Sequence, residues 1–169
     1  TVTVDGSTLT ATFTSLTNGT SYTFAVLATN TVGTAISSST SNATTPATIP
    51  GAPTNVTATA SSTQATVTWS APSSTGGSAI TGYEVTASPG GQTVTAGGST
   101  LMATFAELTN GTAYTFIVTT INTVGTGASS SASNAVTPAT LPGAPTSVSA
   151  TASNTQATVT WSAPSSTGG

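Results

Sequence analysis

The sequence contains no Cys, His, Lys or Arg, and its only acidic residues are Asp5, Glu84 and Glu107. Each absence removes a class of chemistry. Without Cys or His there is no disulfide framework, thiolate nucleophile, imidazole base, zinc site or haem ligand. Without a basic side chain the chain cannot neutralise phosphates, so the electrostatic attraction that supplies most nucleic-acid affinity is missing. Attraction to anionic membrane surfaces goes with it. Catalysis is left with three carboxylates and a crowd of unactivated hydroxyls. A hydrolytic pair needs two carboxylates in one pocket with separated pKa values, and a calcium site needs several oxygen ligands. The three acids are therefore read as solvated surface groups. No catalytic, cofactor-binding or metal-ligating residue is assigned, and no cofactor is expected.

What is present is small and β-forming: 44 Thr, 26 Ala, 25 Ser and 17 Gly in 169 residues. Disordered chains combine high net charge with low hydrophobicity. Here the net charge is −3 and the mean hydropathy +0.20, and Thr and Val favour strands, so a packed fold is expected.

Sliding the sequence on itself by 92 residues aligns 1–77 with 93–169 without a gap, and 59 of the 77 pairs are identical. Trp69 recurs as Trp161, Leu16-Thr17-Asn18-Gly19-Thr20 as Leu108-Thr109-Asn110-Gly111-Thr112, and Pro50-Gly51-Ala52-Pro53 as Pro142-Gly143-Ala144-Pro145. A period of this length is one small globular domain rather than a solenoid unit. The boundary is expected in the segment from Pro138 to Pro145, whose three prolines in eight residues cannot continue a ladder. That phase gives the C-terminal half of one repeat at 1–49, a complete repeat at 50–141 and the N-terminal part of a third at 142–169. The stretch reads as a window on a longer tandem array, so the absence of a signal peptide from it carries no weight.

Within the complete repeat, short alternating segments lie between turn-rich stretches, with no sustained helical period. Gln64 to Ser70 places Ala65, Val67 and Trp69 on one face. Gly82 to Ser88 places Tyr83, Val85 and Ala87 inward and Glu84 outward. Leu101 to Ala106 presents Leu101, Ala103 and Phe105, and Ala113 to Asn122 presents Tyr114, Phe116 and Val118. Val56 to Ala60, Gln92 to Ala96 and a last strand at about 131–137 bring the number of expected strands to seven. Seven short strands separated by turns such as Pro89-Gly90-Gly91 and Asn110-Gly111 argue for an antiparallel β-sandwich. Trp69, Tyr83, Phe105, Leu108, Tyr114 and Phe116 are its expected core, with Trp161 in the same role one repeat on.

The stretch from Pro50 to Thr140 resembles a fibronectin type III domain of the bacterial secreted or cell-surface kind. The resemblance rests on the Pro-Gly-Ala-Pro opening, the Trp69 strand followed by Ala71-Pro72, Ile80-Thr81-Gly82-Tyr83-Glu84-Val85, and Leu108-Thr109-Asn110-Gly111-Thr112-Ala113-Tyr114-Thr115-Phe116. It implies a seven-stranded immunoglobulin-like sandwich, and Tyr114 as the corner tyrosine whose hydroxyl bonds to backbone upstream. The cell-adhesion tripeptide associated with that family requires an Arg and cannot occur here. The fold itself hosts many unrelated tasks.

Function is sought on the surface. Asn-x-Ser/Thr sequons occur at Asn18, Asn42, Asn55 and Asn110, a pattern that arises easily in a Thr-rich chain. Outward positions of the long strand carry Ile117 and Ile121 between Thr115 and Thr119, and the preceding repeat places Leu27 where the complete one has Thr119. Leu27, Ile117 and Ile121 are the candidate self-association surface. Sandwiches commonly guard their edges with charge, especially Lys, or with proline and bulges, and this one has no Lys. A surface near neutrality offers little repulsion between neighbours. The expected function is a non-catalytic extracellular or cell-surface structural array, a fibre, sheath or stalk whose partner is itself. Cell-wall or extracellular polysaccharide is a further candidate partner. The alternative is a spacer or carbohydrate-associated accessory module of a large secreted enzyme or adhesin. Nucleic acid and membrane insertion within these residues are excluded.

Overall fold

The computed structural model describes all 169 residues and contains strands but no helix. The strands are β1 (Thr54–Ser61), β2 (Gln64–Ser70), β3 (Ile80–Ser88), β4 (Thr93–Gly97), β5 (Met102–Phe105), β6 (Thr115–Asn122), β7 (Thr126–Ser129), β8 (Thr146–Ser153) and β9 (Gln156–Ser162). All pairing is antiparallel. β1-β2-β5 form one sheet, β4-β3-β6-β7 a second, and β8-β9 a separate hairpin. The first two sheets face each other across one core as the expected antiparallel β-sandwich.

Alternation decides which side chains enter the space between the sheets, because successive residues of a strand point to opposite faces. Ala65, Val67 and Trp69 of β2, Tyr83, Val85 and Ala87 of β3, and Phe116 and Val118 of β6 are all buried. Two aromatic pairs bridge the sheets. Trp69 meets Tyr83 with ring centroids 5.3 Å apart, and Phe105 meets Phe116 at 4.9 Å, both tilted as the ring quadrupoles prefer. Leu108 and Tyr114 complete the buried cluster.

Three expectations need correction. Leu101 is 40% exposed, because β5 starts only at Met102 and Leu101 lies beyond its end; its carbonyl accepts from Trp69 N–H at 3.2 Å. The last strand is β7, earlier than expected, and residues 130–136 continue along β6 in an irregular way. There Ser130, Ser133 and Val136 donate backbone N–H to the carbonyls of Val118, Phe116 and Tyr114, three residues answering two. The hydroxyls of Ser130 and Ser133 accept from Val118 and Phe116 N–H at 2.9 and 3.1 Å, replacing the carbonyls a regular ladder would use. The third correction is Trp161, which is 63% exposed. It sits in the β8-β9 hairpin, and no second sheet lies against its face.

Residues 1–49 form isolated bridges, Tyr22↔Thr44 and Thr29↔Thr34, and no extended strand. They keep the local bonds of the complete repeat. Ser38 and Ser41 hydroxyls accept from Val26 and Phe24 N–H, both at 3.0 Å.

Candidate interaction surfaces

The carboxylates stand in three unrelated settings. Asp5 is exposed, and its Oδ1 accepts from the hydroxyl and N–H of Ser7 and from the N–H and hydroxyl of Thr8. Those donors, the Ser7 hydroxyl foremost, hold its pKa below the ordinary 3.8. Glu84 is exposed midway along β3, and Glu107 is exposed in a turn at φ 60°. Two surface depressions, one lined by residues 28–35 and one between Pro53–Val56 and Ser130–Ala132, have no ionisable side chain. Neither offers an acid–base pair.

The outer face of β4-β3-β6-β7 carries the expected aliphatics. Ile117 and Ile121 are half-buried there, opposite Thr86 and Gly82 of β3. Leu27 is 55% exposed and belongs to the preceding repeat, on a segment without a ladder.

The corner tyrosine closes its turn. Thr109 N–H donates to the Tyr114 hydroxyl at 3.2 Å, and Thr17 N–H to that of Tyr22 at 3.0 Å. The Thr17 bond pulls the Tyr22 pKa below the ordinary 10.0, whereas burial pushes that of Tyr83 above it.

Two asparagines escaped the sequence reading. Asn134 grips the backbone of Ala58 twice, accepting from its N–H at 2.9 Å and donating to its carbonyl at 3.0 Å. That stitches the segment after β7 to β1 of the other sheet. Asn122, buried at the end of β6, accepts from Val124 and Gly125 N–H and donates to the carbonyls of Thr48 and Thr75 at 2.8 and 2.9 Å. The repeated Asn-Thr-Val-Gly at 30–33 and 122–125 was the available signal, since an Asn three residues before Gly suits a side-chain-closed turn.

Comparison with known proteins fits this architecture. Endoglucanase B of Cellulomonas fimi is 37% identical over 143 residues, covering 79% of this chain but only 13% of that protein. Domains A168–A170 of titin superpose with a TM-score of 0.51 at 26% identity, over 68% of this chain and 40% of theirs. The FN1–FN3 domains of chicken CNTN1 are 26% identical with a TM-score of 0.49, over 87% of this chain and 54% of theirs. Residues 51–136, just over half the chain, match the sequence model of the fibronectin type III domain. With its two facing antiparallel sheets and aromatic core, the chain belongs to the fibronectin type III family.

Proposed function

We propose that the chain is a non-catalytic structural array of the extracellular space, in which sandwiches joined end to end pack side by side into a fibre, sheath or surface stalk. The observation that carries this reading is the surface. No copy of the repeat has a Lys or Arg, and the outer face of the four-stranded sheet sets Ile117 and Ile121 among threonines. Glu84, exposed opposite Thr119 between the two isoleucines, is the only charged side chain of that sheet to desolvate on contact, and the outward aliphatics favour association. The partner is another copy of the array. Sedimentation velocity over a rising concentration series tests it. Association that Ile117→Lys together with Ile121→Lys abolishes is the expected result. A monomer at every concentration, with no filament in electron micrographs, overturns the reading.

A second reading is favoured by one observation: the similarity to the Cellulomonas endoglucanase occupies a small fraction of that protein. On this view the repeats space or accompany other modules of a large secreted enzyme or adhesin. Carbohydrate platforms usually need exposed aromatics, and in the central sandwich Trp69, Tyr83 and Tyr114 are all buried, which favours spacing over sugar binding for that repeat. Retention of the protein on insoluble polysaccharide would reverse that preference.

A further inference from the structure

Loops at the pole of a sandwich normally face water, yet Gly76 is buried, and so is Gly168, its equivalent 92 residues on. What covers Gly76 is the chain entering from the preceding repeat. Thr48 N–H donates to the Gly76 carbonyl at 2.8 Å and Gly51 N–H to that of Ser74 at 2.9 Å. Asn122, at the end of β6, closes over the same linker through the Thr48 carbonyl. The other end of the linker is tied backwards, because Gly19 N–H donates to the Pro46 carbonyl at 2.9 Å. Only Ala47 lies between the bond that holds the linker to one repeat and the bond that holds it to the next. Pro46, Pro50 and Pro53 further restrict it, since each fixes φ.

Beyond the linker the two repeats touch directly. Gly77, at φ 86°, lies so close to the Asn18-Gly19 turn that a Cβ on it would overlap the Gly19 nitrogen and stand 2.7 Å from the Asn18 carbonyl carbon. The second junction repeats the pattern. Thr140 donates to Gly168 at 2.8 Å, Gly143 to Ser166 at 2.9 Å and Gly111 to Pro138 at 2.9 Å, and a Cβ on Gly169 would stand 2.6 Å from the Gly111 nitrogen. It does so although β8-β9 is a bare hairpin, so the contact requires only the loop.

We propose that the Gly-Gly loop at one pole of each sandwich is a docking site for the Asn-Gly turn of the preceding repeat, making each junction a fixed coupling rather than a flexible tether. The occupant is a copy of the chain's own Leu-Thr-Asn-Gly-Thr turn, read almost entirely through backbone. This goes beyond the function proposed above and holds equally for a fibre or a spacer.

Amide hydrogen exchange on the whole chain, followed by NMR, tests it. The Thr48 and Thr140 amides are expected to exchange at least about tenfold more slowly than in an unstructured linker. Gly77→Val should return Thr48 to the unstructured rate while Phe116 and Val118 in β6 stay protected. Gly169→Val should do the same for Thr140, and it lies outside the central sandwich. Should Gly77→Val also expose β6, Gly169→Val decides. Native Thr48 and Thr140 exchanging at the unstructured rate beside a protected β6, or Thr140 unmoved by Gly169→Val, overturns the proposal.

Discussion

The heptapeptide Gln-Ala-Thr-Val-Thr-Trp-Ser occurs twice, as β2 and as β9, and the two copies live in different surroundings. Each pairs with the strand before it in the same register, Ala58 opposite Val67 and Ala150 opposite Val159. Even the bulge recurs, at Asn55 with φ 52° and at Ser147 with φ 53°. Burial does not follow. Val67 is 0% exposed and Val159 48%; Trp69 is 5% exposed and Trp161 63%. The hairpin is a local product of alternation and turn. The core is a product of the second sheet, which only the central repeat brings to bear.

The widest separation between the two copies should come from their tryptophans. Trp69→Ala removes a ring packed on Tyr83 and should cost ~3–5 kcal/mol in urea unfolding of the central sandwich. Trp161→Ala should stay within about 0.5 kcal/mol, as surface substitutions do. Equal costs would mean that β9 is covered in solution. Asparagine supplies the next contrast. Asn122→Ala strands two N–H groups and two carbonyls in a partly buried setting and should cost about 1–3 kcal/mol. At the exposed position 30, Asn30→Ala should cost a few tenths by the same measurement. A smaller difference is expected at the corners: Tyr114→Phe should lose ~1 kcal/mol with the Thr109 bond, and Tyr22→Phe less.

The two shifted tyrosines separate by pH. Burial raises the Tyr83 pKa above 10.0, so the folded state favours its neutral form. Its contribution is complete below the ordinary value and is lost as pH rises through the raised one. Tyr22, lowered by the Thr17 N–H, shifts in the opposite direction and should ionise first. Tyrosinate absorbance should therefore show an early component that Tyr22→Phe deletes, followed by alkaline loss of the central fold that the same substitution leaves in place.

The phases of β2, β3 and β6 were legible in the sequence because period-two alternation and bulky inward residues are local signals. So was the family, through the Trp69 strand and the Leu108–Phe116 corner. Trp161 was misplaced because burial depends on a partner sheet that its own strand cannot announce. The end of the sandwich was misplaced because Ser130 and Ser133 bond β6 through side chains, which alternation does not register. Asn122 and Asn134 look like turn residues in sequence, and their cross-loop bonds join residues 74 and 76 positions apart. Of the candidate surface, the outward phase of Ile117 and Ile121 could be read, but not that their neighbours leave both only half-exposed.

The serines along β6 also bear on how such a protein stays out of aggregates. Each hydroxyl that accepts from β6 passes its own hydrogen onward, Ser130 to the Ser131 carbonyl at 2.8 Å and Ser133 to that of Asn134 at 2.7 Å. Ser38 and Ser41 do the same in the preceding repeat, to Ser39 and Asn42. A foreign strand adds to a sheet by matching a two-residue rhythm of free donors and acceptors. Here it would meet a three-residue rhythm in which those carbonyls are already engaged. Along this one edge, hydroxyls take over the gatekeeping that lysine performs in charged sandwiches.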